Sequence, residues 1–421
     1  MTDMDAISLD KQARDILTLN DRGGYTVPTE GLYPYQWNWD SAFAAWGFAS
    51  FDITRAWQEL ETLLSGQWPS GMVPHILFHA DDPGYFPGPG VWGTEDIGPV
   101  RSSGISQPPV AASFAKAVHD RAPDQGLPHI RTLYPKLLKW HRWFMTWRLD
   151  QGMIFITHPW EAGRDNAPDW DAAMAAIDPV GVGEYTRRDT GHVDPSMRPT
   201  KADYDRYIWL VQRGKRLGWV DADMDRDPPF RVADPTITFI LLRAHRDLGA
   251  IADLLGESRD EIDSWITTLE AGAENHRGPG GHFCGVNLLT STHTGHLSSA
   301  SFLNWYAGID CDVMLKALDA SFDTATYPVP SHAVTSQGFD GMRYWRGPTW
   351  AIMNTLIGRG LSDMGHDTHG ERLRRQTAAL IAEHGFAEYF HPLTGAPAGG
   401  GTFTWTAAIW LAWASPNAGD V

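Results

Sequence analysis

The chain has 421 residues, 43% of them hydrophobic and 20% charged, which excludes a disordered or low-complexity polymer and supplies enough apolar side chain for a large core. With 51 acidic against 34 basic residues the formal net charge is -17, so the overall field repels nucleic-acid phosphates and anionic lipid surfaces, and neither is expected as a partner. Cys284 and Cys311, the two cysteines of the chain, exclude a disulfide framework and a four-cysteine zinc site and leave a single bridge open.

The first residues, Met1 to Ser8, carry acids where a secretory signal needs basic and then apolar residues. No apolar run approaches the ~20 residues that span a bilayer, so a cytoplasmic protein is expected. Helical periodicity then recurs along the chain, while strand-like alternation is scarce. It predicts helices over Asp10–Leu17, Asp40–Phe48, Ile53–Gly66, Pro109–Asp120, Ile130–Leu149 and Lys201–Leu217. Further helices are predicted over Pro235–Leu255, Arg259–His276, Cys311–Ala320, Pro348–Arg359, Gly370–His384 and Thr404–Ala414. Short connections such as Gly256–Ser258 and Gly360–His369 mark antiparallel helical pairs. Between the pairs lie longer irregular stretches, Ala80–Ser106, Trp160–Thr200, Gly278–Ser301 and Thr326–Gly347. Their aromatic content, Tyr85, Phe86 and Trp92 in the first and Tyr344 and Trp345 in the last, argues for ordered functional loops rather than linkers. The expectation is one all-α domain, residues 1–421, with its long loops gathered at one end.

Two segments combine carboxylates with aromatic faces. In His158-Pro-Trp-Glu-Ala-Gly-Arg-Asp-Asn-Ala-Pro-Asp-Trp-Asp171, the acids Glu161, Asp165, Asp169 and Asp171 are interleaved with Trp160 and Trp170. Burial beside an aromatic face raises a carboxyl pKa, as a general acid for glycosidic cleavage requires, and a Trp face stacks a sugar. The same acids, Asp169 and Asp171 above all, also suit an N-cap cluster before a helix. In Gly385-Phe-Ala-Glu-Tyr-Phe-His-Pro-Leu-Thr-Gly395 a single carboxylate, Glu388, is the natural second member of a two-carboxylate mechanism, or simply follows a helix that Gly385 caps. His75 and His79 share the i, i+4 spacing of a metal pair but lack a third ligand, and His293 and His296 stand in a Ser/Thr-rich loop. The glycine runs Gly84–Gly93 and Gly399–Gly401 lack the strand and lysine of a phosphate cradle, and no Gly-x-Ser-x-Gly elbow exists. Neither a metal nor a cofactor is expected.

These motifs, in their order along the chain, resemble a known group. Tyr35-Gln-Trp-Asn-Trp-Asp-Ser41, Gly71-Met-Val-Pro-His75, Ser106-Gln-Pro-Pro109 and Trp160-Glu-Ala-Gly-Arg-Asp-Asn-Ala-Pro-Asp-Trp170 are followed by Tyr344-Trp-Arg-Gly-Pro-Thr-Trp350, Glu388-Tyr-Phe390 and Phe403-Thr-Trp-Thr-Ala407. The set is similar to the mannosylglycerate and glucosylglycerate hydrolases of glycoside hydrolase family 63, which share an (α/α)6 toroid with trehalases and processing α-glucosidase I. The resemblance runs from about Tyr33 to Trp410. It implies an inverting hydrolase of a small soluble α-glycoside, with Asp165 as general acid and Glu388 as general base. It further implies a sugar site of Tyr35, Trp37, Trp39, Asp40, Gln107, Trp160, Glu161, Trp345 and Arg346. Ile105 stands where trehalases carry an arginine, which argues against trehalase itself.

Three other readings stay open on the sequence: an α-glucosidase for another short disaccharide, a sugar epimerase or isomerase that works through paired histidines, and a sugar-binding protein without activity. A substrate carrying a glycerate carboxylate would need a local cationic clamp inside so acidic a chain. Arg187, Arg188, Arg343 and Arg346 are the candidates, with ion pairs to Asp189 and Asp340 as their alternative employment.

Overall fold

The computed structural model of the chain describes residues 3–187, 191 and 194–419. Among them are twelve α-helices of six or more residues: α1 (Asp3–Asn20), α2 (Asn38–Phe48), α3 (Ile53–Ser65), α4 (Ala111–Arg121), α5 (Pro123–Trp147) and α6 (Lys201–Arg216), then α7 (Pro235–Leu255), α8 (Asp260–Ala273), α9 (Asp312–Thr324), α10 (Ala351–Asp363), α11 (Asp367–His384) and α12 (Thr404–Ile409). Their ends follow capping chemistry. The Asp52 carboxylate accepts the Arg55 N–H to open α3, Thr200 and Asp203 form a capping box on α6, and Asp234 accepts the Thr236 N–H ahead of Pro235 in α7. Gly256, at φ +71°, ends α7 in the left-handed conformation that glycine adopts without strain.

Packing among these elements closes on itself. α2 lies on α4, α4 on α7, and α7 on a 3-10 segment, Ser299–Asn304; that segment lies on α10, α10 on α12, and α12 back on α2. Each inner element carries an outer partner: α3 on α2, α5 on α4, α8 on α7, α9 on the 3-10 segment, α11 on α10 and α1 on α12. The burial pattern matches, since every residue of α2 is buried whereas α3 is buried along one stripe. Close approach of the inner elements requires missing side chains. A Cβ on Gly360 of α10 would stand 2.1 Å from the Tyr306 backbone N, and one on Gly47 of α2 would stand 2.5 Å from Ala408.

Several elements depart from the sequence reading. The protein is predominantly helical, with small sheets that the sequence reading did not foresee. Nine short strands occur among the described residues, and all but β4 (Met153–Ile156) have two residues, too few for a period-2 pattern to register. β3 (Leu149–Asp150), β4, β5 (Val232–Ala233), β6 (Val286–Asn287) and β7 (Thr292–His293) form one antiparallel sheet. β1 (Gln36–Trp37) pairs with β2 (Ile76–Leu77), and β8 (Tyr389–Phe390) with β9 (Pro397–Ala398). α5 begins at Pro123, well before the predicted Ile130, and runs through Pro128 and Pro135, because burial of Ile130, Leu133, Leu137 and Trp140 outweighs the local cost of proline. α1 extends from Asp3 to Asn20, beyond the predicted Asp10–Leu17. The 3-10 segment begins inside the Gly278–Ser301 stretch read as loop and runs past its end, where no helix was predicted. The last predicted helix changes to a π turn over Trp410–Ala414. Cys284 and Cys311 are both free thiols.

Gly360→Ala tests the close packing that closes the ring. Its methyl would meet backbone that cannot swing aside, so we expect a loss of stability at or above the upper end of the ~1–3 kcal/mol typical of overpacking, read from the urea midpoint at unchanged slope.

Candidate active site

Loop residues and the first turn of α2 line an open cavity whose walls are largely aromatic. The chain reaches it from many sides. Pairing of β1 with β2 brings Trp37 beside His75 and Ile76 at the cavity wall, and α2 then projects Trp39 and Asp40 from its first turn. Three of the four irregular stretches line it: the first through Tyr85, Phe86 and Pro87, the second through Trp160, Gly163, Asp165 and Arg198, and the last through Tyr344. The stretch over Gly278–Ser301 does not.

Two glycines allow the carboxylates to be placed. Gly163, at φ +67°, turns the chain just before Arg164 and Asp165, and a Cβ there would strike the Trp39 ring at 2.6 Å. Beyond α11, Gly385 turns the chain into β8, where the Glu388 N–H donates to the Ala398 carbonyl across the pair. On the facing strand's exit, Gly399 at φ +80° lets backbone pass so close that its Cβ would lie 2.1 Å from Glu388 Oε2.

Glu388 is 1% exposed. Its Oε1 accepts from the Tyr33 and Tyr344 hydroxyls at 3.2 and 3.1 Å, and its Oε2 accepts from Arg198 Nη2 at 3.1 Å. Burial lifts its pKa above the ordinary carboxylate value, while Arg198 and the two tyrosines pull it back. Arg198, itself buried, also donates to the Tyr33 oxygen at 3.0 Å and lies over the Tyr344 ring at 4.5 Å. Asp40 is pushed well above the ordinary range, first by burial and then by repulsion from Glu388. The Tyr344 phenol is raised by burial and then by the negative charge of Glu388, Tyr33 and Asp165. Asp165 is partly exposed to the cavity, and the Tyr207 hydroxyl donates to its backbone carbonyl at 2.8 Å. The arrangement can hold one carboxylate out of water in a fixed direction and present a second to the same bound molecule.

Of the residues singled out from the sequence, Asp165, Glu388, Trp37, Trp39, Asp40, Gln107 and Trp160 line this cavity. Gln107 is oriented by accepting the Trp39 N–H at 3.1 Å. Four do not line it. Tyr35 is wholly buried, edge-on to Phe78 and Tyr85. Glu161 faces the core, where Arg148, the Thr157 N–H and the Thr157 hydroxyl satisfy it. Trp345 stacks on Trp350 at 3.8 Å, one layer behind Trp39. Arg346 pairs bidentately with Asp171 and donates to the Asn166 carbonyl. Asp169 is neither cap nor cavity residue but is buried against Arg164. Among the clamp candidates, the Arg343 guanidinium lies 3.6 Å from Asp203 while its backbone N–H donates to the Asp340 carbonyl, Arg187 stacks on Tyr204 at 4.0 Å, and Arg188 lies outside the described residues, as does Asp189. His75 bonds Ser103 and His79 bonds Gln36, so the i, i+4 pair serves two separate partners. Arg198, Tyr33, Tyr204 and His75 join the site without having been singled out for it. For Arg198 the sequence offers no signal, since Met197-Arg-Pro199 has neither an aromatic nor a carboxylate neighbour.

The sequence profile of the mannosylglycerate hydrolase MGH1-like glycoside hydrolase domain matches residues 33–406. The chain is 42% identical over 411 residues to mannosylglycerate hydrolase MGH2 of Selaginella moellendorffii, covering 95% of this chain and 84% of that protein. It is 33% identical over 440 residues to the glucosylglycerate hydrolase of Mycolicibacterium hassiacum, covering 96% of both. Its structure superposes with a TM-score of 0.92 on the crystal structure of the family 63 mannosylglycerate hydrolase from Thermus thermophilus in complex with Tris and D-glycerate, at 40% identity over 96% of this chain and 98% of that one.

The electrostatics of Asp40 give a testable sign. A carboxyl whose folded pKa exceeds its unfolded value, about 3.9, binds more proton in the folded state, so its contribution to stability falls as pH rises through that window. Asp40→Asn removes this penalty. We expect the variant to be more stable than the parent at pH 7, with the difference shrinking toward pH 4, as a series of melting temperatures against pH will read.

Proposed function

The chain belongs to the mannosylglycerate hydrolase MGH1-like family and is a glycoside hydrolase, and from that premise we propose that it cleaves a small α-glycoside of glyceric acid in the cytoplasm, with inversion. Asp165 acts as general acid and Glu388 as general base on a single (α/α)6 toroid. The closed succession of six inner elements, each with an outer partner, supports the toroid. The observation that carries the mechanism is the meeting of Asp165 and Glu388, from opposite halves of the chain, in one aromatic cavity that Tyr344 also lines.

In this reading the hexose lies against Trp37, Trp39 and Trp160, with Asp40 and Gln107 on its hydroxyls. Glu388, kept anionic by Arg198 and the two phenols, takes a proton from the attacking water while Asp165 gives one to the departing glycerate oxygen. Water attacks the face opposite the leaving group, so configuration inverts. The glycerate carboxylate is received by Arg198, the buried arginine of the cavity, whose Nε–H has no partner among the described residues. The Thermus relative in complex with D-glycerate supports this aglycone, and relatives named for both mannosyl and glucosyl substrates leave either hexose admissible. An isomerase working through paired histidines is poorly served, because His75 is the one histidine among the described lining residues.

Asp165→Asn and Glu388→Gln keep volume and remove proton transfer, so each is expected to lower kcat on mannosylglycerate or glucosylglycerate by at least about 10²–10⁴-fold. Proton NMR of the first product should show the β-hexose; an α-hexose would end the inverting assignment. Arg198→Ala touches base and clamp together, so kcat falls on every substrate. Its KM should rise at least about tenfold more for the glycerate glycoside than for the neutral glycerol glycoside, and equal rises would remove Arg198 as the clamp.

A further inference from the structure

Next to the proposed acid stands an ion cluster that the chemistry does not touch. Arg164 is wholly buried, and its side chain runs into the core rather than the cavity. Its Nε donates to Thr236 Oγ1 at 2.8 Å, its Nη2 to Asp234 Oδ1 at 2.9 Å, and its Nη1 to Asp169 Oδ2 at 3.1 Å and Ser298 Oγ at 3.4 Å. The guanidinium lies over Trp170, whose indole N–H donates back to the Arg164 carbonyl at 2.8 Å.

Asp169 and Trp170 lie in the same loop as Arg164, and the other three partners belong to two elements of the inner ring. Asp234 and Thr236 form the N-terminal cap and first turn of α7, and Ser298 is the N-cap of the 3-10 segment. One side chain therefore ties the loop carrying Asp165 to two elements outside that loop. Stability is a poor reason for such a cluster. Taking a guanidinium and two carboxylates out of water costs several kcal/mol per ion, and well-packed apolar replacements of buried ion pairs are often as stable or more so. Here one carboxylate is in excess, and Asp234 Oδ2 has no hydrogen-bond partner among the described residues. What the cluster supplies is direction: a planar fork bound at three edges fixes the backbone of residue 164, and with it the Cα of residue 165.

We propose that Arg164 is the positioning residue of the general acid, holding the Asp165 carboxyl within proton-transfer reach of the glycosidic oxygen. This rests on the reading of Asp165 as the acid. Proton transfer needs a heavy-atom separation of about 2.6–3.2 Å, and a misplacement of about 1 Å can cost about 10²-fold in rate. Asp165 is the next residue along the chain from the anchor, and the Tyr207 hydroxyl, donating to its backbone carbonyl at 2.8 Å, leaves the direction of the neighbouring residue 164 to the fork.

The test is Arg164→Lys, which keeps the buried charge and loses the fork, assayed on mannosylglycerate across pH beside Asp234→Asn and Asp165→Asn. The basic limb of kcat reports ionisation of the acid in the complex, and the acidic limb reports the base. For Arg164→Lys we expect kcat to fall about 10²-fold with KM within about threefold, and the basic limb to move or flatten while the acidic limb stays. A general loss of folded enzyme scales the whole curve without moving either limb, and that result, or a kcat within about threefold of the parent, overturns the proposal. If Arg164→Lys does not fold, Asp234→Asn decides: isosteric, and weakening one arm of the fork, it should lower kcat about 3–10-fold and shift the basic limb in the same sense, and an unmoved limb counts against the role. Asp165→Asn separates the two readings, because a basic limb that survives in it means that Asp165 is not the acid, whatever Arg164 does.

Discussion

The site depends on keeping a carboxylate dry and still charged. Glu388 is buried among aromatic rings, where its anion would ordinarily be neutralised by taking up a proton. Arg198 and the hydroxyls of Tyr33 and Tyr344 oppose that, each donating a hydrogen bond to an oxygen the anion alone can fully use. The grip comes from three separate segments, so Glu388 is correctly held only when the chain ahead of α2, the stretch ahead of α6 and the loop ahead of α10 are all in place. Asp40 carries the electrostatic consequence. It shares the cavity with that carboxylate and is pushed toward its neutral form, in which it can donate as well as accept hydrogen bonds.

A second layer of buried charge repeats one pattern around this cavity. Arg164 binds Asp169 and Asp234 next to Asp165. Arg148 binds Glu161, which also accepts the Ser106 N–H next to Gln107. Arg55 binds Asp21 and Glu59, and Glu59 accepts from Ser41 next to Asp40. In each case the charged cluster grips a residue adjacent in sequence to one that lines the cavity. Buried ion pairs are weak sources of stability, yet they resist rotation and sliding far better than an apolar contact of the same area. Such anchoring suits a site assembled from loops, where the carrying segment has no ladder of its own to set its direction.

Much of the architecture was legible because helices announce themselves through a period that repeats over many residues. α2, α7 and the turn at Gly256 lie close to where periodicity and capping residues put them. The misses have a common cause. The short strands and the 3-10 segment of the inner ring are too brief for any period to show, and α5 keeps its prolines because packing onto α4 and α7 outweighs local propensity.

For the site, residue chemistry by itself picked out carboxylates set among aromatics, and both Asp165 and Glu388 do line the cavity. It could not say which way alternate side chains face. Glu161 and Asp169 stand in the same motif as Asp165, with the same composition around them, but a turn at Gly163 and the pull of Arg148 and Arg164 send them inward. Nor could it find Arg198, whose meaning lies wholly in meeting Glu388 from far along the chain. The sequence by itself determined the helical repeat, the acidic exterior and the aromatic carboxylate motifs, since these are properties of neighbours along the chain. The tertiary structure alone decided which charges meet, because burial and electrostatic partnership depend on distance through space.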